Sequence, residues 1–261
     1  MTIAVLISLC SKNQPWNNIE DCDFIEVFLD SLLVTKSNRH KFHIYLGYDE
    51  NDMFFKDRHE ELEKRYQTNN SSSLQVTIVT LPKTCNGNPC KGWNILYEKA
   101  LDNPDNEWFY QCGSDIIHTV MNWDDYFVKI LTKNDKDGII GGVDPMFWLE
   151  RQIRDQAGIL ENVFTGRKHY ERFGWFFPPE VKTWFSDDMI TKIYRNVNKC
   201  FVCPNIKYSN TNRVGSQNEK SRYVPPEKEK IAKEWPNIAN NYTLKGFPDS
   251  PKDYLKKPIY N

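Results

Sequence analysis

Two acidic groups in this chain have residue types and spacing suited to chemistry. The first lies in Glu107–His118, EWFYQCGSDIIH, where an aromatic, apolar run breaks at Gly113-Ser114-Asp115 and apolar residues resume at once. Trp, Phe and Tyr in succession read as a buried strand. A carboxylate released at its end lies where open α/β sheets bind ligands. There Asp115 can hold a divalent cation through hard oxygen ligation, and the cation can hold phosphates. The same residues also suit a plain Gly-Ser-Asp turn. The second group is Trp184-Phe185-Ser186-Asp187-Asp188, just ahead of a helix expected over Met189–Tyr194. One of two adjacent carboxylates can accept a hydrogen bond from a sugar hydroxyl while the other removes its proton. Trp184 offers an apolar platform on which a sugar ring stacks. An Asp at a helix start also serves simply as a cap or a dipole partner.

These acids need elements to position them, and the apolar pattern supplies a set. Strands are expected over Ile3–Leu9, Phe42–Leu46, Leu74–Leu81, Trp108–Cys112 and Gly138–Val143. Helical periodicity marks Phe24–Leu33 (Phe24, Val27, Phe28 and Leu32 on one face), Arg58–Tyr66, the segment from Trp93 to Leu101, and Trp123–Leu131. Strands alternating with helices give the α/β class, with a mostly parallel sheet flanked by helices in one domain. The ends of strands one, two and four then bring Ser8, Ser11 and Lys12, Asp49, and Asp115 to one edge. That convergence suits a nucleotide: amides after strand one meet a base, Asp49 binds base or ribose, and Asp115 holds a metal on the diphosphate. Polar loops alone account for the same residues. Lys91-Gly92-Trp93-Asn94 opens the helix after strand three. A helix start favours anions and Lys91 adds a mobile cation, although Lys91 equally suits a solvated surface. Asn94 bonds a ligand or caps locally.

Bulk properties narrow the class. The 261 residues are 39% hydrophobic with 15 Phe, 13 Tyr and 8 Trp, ample for a sizeable core. A net charge of −1 argues against nucleic acid as a partner. MTIAVLISLC lacks a basic n-region and a small-residue cleavage site, so it reads as a first core strand rather than a signal. No apolar run reaches the roughly 20 residues of a membrane span. The expectation is a cytoplasmic protein, in a host's cytoplasm if it is virus-encoded; the Asn and Lys content suits an AT-rich genome. Seven cysteines, an odd number, fit reduced thiols. Cys200-Phe-Val-Cys203 has zinc-knuckle spacing that Cys85 and Cys90 can complete, with buried thiols as the default. After about Tyr223 the composition turns rich in Pro and Lys, which suggests an appendage: residues 1–222 form the domain, and 223–261 an extended tail strapped over it or partly disordered.

At this point the sequence resembles a nucleotide-sugar glycosyltransferase of the GT-A fold, a Rossmann-like sheet, over roughly residues 1–200. ISLCSK resembles its first nucleotide-binding strand, which implies donor contacts from Ser8, Cys10 and Ser11. KGWNILYEKAL resembles the helix whose basic residue and Asn approach the donor, here Lys91 and Asn94. FYQCGSDI resembles the strand bearing the DxD motif, with Ser114 beside the donor and Asp115 as ligand to Mn²⁺ or Mg²⁺. GWFFPPEVKTWFSDDMITKIY resembles the acceptor-side segment of inverting members, where a Trp-x-x-Glu/Asp-Asp pattern supplies the base. The resemblance thus implies Asp188 as the base, Asp187 and Trp184 on the acceptor, and Arg167 and His169 bordering the sugars, His169 equally suiting a structural role. The implied partners are a UDP-sugar ahead of a GDP-sugar, and a carbohydrate acceptor. The sequence departs from the pattern in two places. Gly113 stands where DxD has its first acid, and no histidine follows His169 to complete a metal site, leaving Asn210 or Asn212 as a substitute or a water-rich site. A retaining transferase, which needs no base, and a non-catalytic carbohydrate-binding module stay open. A nucleotidyltransferase fits less well, since Leu9–Pro15 contains no glycine to cradle phosphates. A redox or metal-binding protein built on the cysteines fits least.

Overall fold

Ile3, Ala4, Val5, Leu6 and Ile7 are all fully buried, so the first strand has no solvent face. That is the condition of a central strand in a parallel sheet covered by helices on both sides. The computed structural model describes residues 1–68, 73–146, 158–211, 228–250 and 252. Its strands are β1 (Thr2–Leu9), β2 (Lys41–Asp49), β3 (Leu74–Leu81), β4 (Asn106–Gln111), β5 (Ile116–His118), β6 (Ile139–Val143), β7 (Val163–Gly166) and β8 (Cys200–Asn210). They form one eight-stranded sheet in the order β3-β2-β1-β4-β7-β6-β8-β5. β1 pairs in parallel with β2 and β4, β2 with β3, and β6 with β8, whereas the pairs involving β7 and β5 are antiparallel. The α/β, Rossmann-like sheet expected from the sequence is the one found. β5, β7 and β8 lie outside the strands expected, being short or irregular.

Alternation along β1 builds two cores. Ile3, Val5, Ile7 and Leu9 face one side, with Phe42, Ile44, Trp108 and Tyr110. They are covered there by a π-helical turn (Phe24–Leu29) running into α1 (Asp30–Thr35), by α2 (Met53–Lys56) and α3 (His59–Thr68), and, after α4 (Pro89–Leu101), by α5 (Trp123–Lys133). Ala4, Leu6 and Phe109 face the other side. α4 covers that face together with α6 (Lys168–Phe173), α7 (Ser186–Arg195) and α8 (Lys228–Gly246). Burying one such aliphatic or aromatic side chain is worth about 1.5–3 kcal/mol. The helix expected over Phe24–Leu33 is therefore split by a wider π turn. Its Phe24, Phe28 and Leu32 are fully buried, but Val27 only half so.

The segment expected as an extended tail is helical over 228–246, with Pro236 inside the helix. Trp235 and Ala239 are buried, and Ile231, Ile238 and Tyr242 pack beside them. That spacing is a helical stripe, which the surrounding prolines obscure. Residues 212–227 and 253–261, also assigned to the tail or its junction, lie outside the described residues, as does Asn212. No described helix is long and apolar enough to cross a membrane. β3 forms one edge of the sheet, and its eight residues, LQVTIVTL, include no charge and no proline.

Candidate active site

Because β1, β2, β3 and β4 run parallel, their carboxyl ends share one edge, with Leu9 beside Tyr48 and Asp49 beside Leu81. The first turn of α4 arrives at this edge. Asn88 caps the helix by accepting from the Lys91 amide at 3.1 Å, and Pro89 takes the first helical position. The dipeptide Asn-Pro is the signal that moves the helix start ahead of Trp93. Gly92 lets the helix sit against β1: a Cβ there would lie 3.1 Å from Ser8 Oγ and 3.2 Å from Leu81 Cδ1. Ser8 is thus in contact with the helix start.

Asp49 is half-buried, and burial followed by the nearby charge of Asp52 raises its carboxyl above the ordinary range. The Cys85 thiol is pushed up to about 11, first by burial and next by Asp49, with Lys91 opposing. Cys85 therefore lies in the fields of both Asp49 and exposed Lys91. Ser11 already has an internal partner. Its amide and hydroxyl donate to the carboxylate of Asp52 at 2.8 and 2.6 Å, which fixes the loop after β1 onto α2. Asp52 belongs to the same acidic stretch as Asp49, at the end of β2. Cys10 is a half-buried free thiol at the end of β1.

At the end of β4, Ser114 is buried and Asp115 half-buried. The Asp115 carbonyl accepts from the amide and hydroxyl of Thr211 at 3.0 and 3.2 Å. Its carboxylate turns back over Gly113, so that a Cβ on Gly113 would lie 2.4 Å from Asp115 Oδ1. The Gly113 amide donates to Asn162 Oδ1 at 3.4 Å. Two further acids border this turn. Asp144, at the end of β6, accepts from the amides of Met146 at 3.0 Å and Asn210 at 3.3 Å, and Glu161 accepts from the Tyr208 hydroxyl at 3.1 Å. Asp144 carries the same signature as Asp115, a carboxylate just after a strand, and was legible on that ground. Among the described residues no group of three His, Cys, Asp or Glu is disposed to hold a metal. Asp115 alone offers one hard oxygen ligand, and a cation there would need its remaining ligands from elsewhere.

α7 begins at Ser186, so Asp187 and Asp188 occupy its first turn rather than preceding it. Both are half-buried, as is Trp184. The helix field there favours carboxylates. This turn meets α4. The Cys90 amide donates to the Lys182 carbonyl at 3.2 Å, and the Cys90 thiol is pushed up to about 12 by burial, against the Ser186 hydroxyl and with the charge of Asp187. One helix start thus meets both the β1 end and the segment Lys182–Ser186 that leads into the acidic pair.

Three expectations are corrected. Asn94 does not face a ligand with its carbonyl: Oδ1 accepts from the amides of Phe176 and Phe177 at 3.0 and 2.8 Å, while Nδ2 donates to the Phe177 carbonyl at 2.9 Å. It clasps the Phe176–Phe177 segment to α4. His169 is 1% exposed, with Nδ1 on the Tyr194 hydroxyl at 2.7 Å and Nε2 on the Phe176 carbonyl at 3.0 Å. Burial lowers it to about 4; it is a neutral structural residue that no acceptor reaches. Arg167 bonds the carbonyls of Asn106 and Asn103 at the amino end of β4, the far edge of the sheet from the site. The four-thiolate zinc site also fails. Cys203 packs in the core on one face of the sheet, Cys85 and Cys90 in the core on the other.

No protein-family model and no curated protein sequence matches the chain. Among solved structures it is similar to S. aureus TarS, with a TM-score of 0.58 at 14% identity over 97% of this chain and 41% of that one. It is likewise similar to the TarS 1–349 fragment, alone and in complex with UDP, with TM-scores of 0.57 at 15% identity. Those matches cover 97% of this chain and 68% of the fragment. The chain shares the fold of these structures, and spans less than half the length of the longer TarS chain.

Proposed function

We propose that this protein is a metal-dependent, inverting glycosyltransferase of the GT-A type, moving a sugar from a nucleoside diphosphate to a hydroxyl of a carbohydrate acceptor. One observation carries the reading: the start of α4 packs on the ends of β1 and β3, beside Asp49, and bonds the segment that leads into Asp187-Asp188, while Asp115 follows β4 on the same edge of the sheet. A nucleotide on one side and an acceptor on the other would meet across it. The shared fold with TarS, a glycosyltransferase with a UDP complex, supports a UDP-sugar ahead of a GDP-sugar.

In this reading Asp49 and the loop after β1 bind the nucleoside, Ser8, Cys10 and Ser114 line the pocket, and Lys91 approaches the phosphates. Asp115 would hold Mn²⁺ or Mg²⁺, which when bound neutralises charge growing on the leaving diphosphate. Asp187 orients the acceptor on Trp184. Asp188 takes the proton of the acceptor hydroxyl as its oxygen bonds to the anomeric carbon; the bond from that carbon to the diphosphate breaks, and the nucleotide leaves with the electron pair.

The test is calorimetric binding of UDP, GDP and dTDP, with and without Mn²⁺, to the wild type and to Asp115→Ala. Metal-dependent binding of one nucleotide, lost in the variant, is expected; binding of none sinks the transferase reading and favours a glycan-binding module. Asp188→Asn should abolish transfer and keep nucleotide binding. Retention of anomeric configuration in the product would replace the inverting mechanism by the retaining one.

A further inference from the structure

The turn that begins α7 is held from outside by α8. Phe185, the residue before Ser186, has φ 68°, a left-handed conformation that a bulky side chain keeps only when its surroundings impose it. The surroundings are visible. Its ring stacks on the indole of Trp235, with centroids 6.1 Å apart and planes within 10°, and Trp235 is 4% exposed. The same helix grips the segment on either side of the turn. Tyr242 donates to the Glu180 carboxylate at 3.0 Å, and Asn196 Nδ2 donates to Asn240 Oδ1 and Thr243 Oγ1 at 3.1 Å each. Asp187 and Asp188 thus sit between three anchors, all supplied by one helix. A change of φ at Phe185 would swing the first turn of α7 and re-aim both carboxylates.

We propose that Trp235 is a positioning residue for sugar transfer: stacked on Phe185, it holds the left-handed turn that sets the place of Asp188. The inference rests on the role given to Asp188 above. Misplacing a reacting group by about an ångström costs on the order of 100-fold, so the effect should be read in turnover rather than in donor binding.

The experiment compares Trp235→Ala, Trp235→Phe and Phe247→Ala in the full chain. Phe247 packs on Phe173 and Tyr194, away from Phe185, and serves as a control for general loosening. Trp235→Ala should lower kcat roughly tenfold or more, leave UDP affinity within about twofold, and speed amide exchange at residues 186–189. Trp235→Phe should regain most of the rate. Phe247→Ala should lower the unfolding midpoint without the loss of kcat. In a Phe185→Gly background, where glycine accepts the positive φ and no ring remains to stack, Trp235→Ala should cost nothing further. Equal losses from Trp235→Ala and Phe247→Ala, or faster exchange with unchanged kcat, would overturn the proposal. Asp188→Asn run alongside separates the two failures: if that variant transfers at full rate, the base assignment has failed first.

Discussion

At Gly113 the Asp115 carboxylate already fills the place of a side chain. An acid introduced with Gly113→Asp should therefore displace Asp115, and, if the proposed function holds, weaken Mn²⁺-dependent UDP binding by about tenfold or more. Calorimetry would show it, and a gain in affinity would contradict the geometry. His169 gives a pH prediction. Its folded value of about 4 lies below the ordinary 6.5, chiefly through burial. The stability of the neutral ring is then complete above pH 6.5 and is lost as pH falls toward 4, at most roughly 3 kcal/mol. Urea midpoints should decline over that window, and His169→Gln should flatten part of the decline; an unchanged slope would remove His169 as its source. Asp115 and the pair Asp187-Asp188 were legible because strand-end and helix-start acids leave a local pattern. Asn94, Arg167 and His169 were misassigned because their partners, Phe176–Phe177, Asn103–Asn106 and Tyr194, lie remote in sequence and leave none.

Among the elements, α4 has the widest influence on the site, since its first turn meets β1, β3 and α7. Removing its cap with Asn88→Ala should cost about 1 kcal/mol, read by chemical denaturation, and should weaken UDP binding as the Lys91 turn frays. Intact affinity with reduced stability would confine Asn88 to a structural role. The start of this helix was present in the sequence as Asn88-Pro89, and the four parallel strands as apolar runs. α8 was harder: Ile231, Trp235, Ala239 and Tyr242 have helical spacing, but Pro236 among them would break an isolated helix. What holds it is contact with α7, supplied by residues far back in the chain.

Across the whole molecule, the continuous apolar run of β1 suits a strand covered by helices on both faces, and both layers are found. The strand order past β4 was not legible, because the antiparallel β7 inserts between β4 and β6 and runs only from Val163 to Gly166. The opposite edge has a consequence for handling the protein. β3 is an edge strand of eight uncharged residues, seven of them at least partly exposed, and no strand among the described residues pairs with its outer side. Nothing of the usual kind, neither lysine nor proline nor a bulge, discourages a neighbour from adding on. Concentrated samples should scatter light well before the fold itself loosens. A lysine at the exposed position Gln75 should raise the concentration at which scattering begins while moving stability by no more than about 0.5 kcal/mol. If scattering is unaffected, some other surface limits solubility; if it recedes, storage life is set by a strand on the far side of β2 from the active edge's central strands.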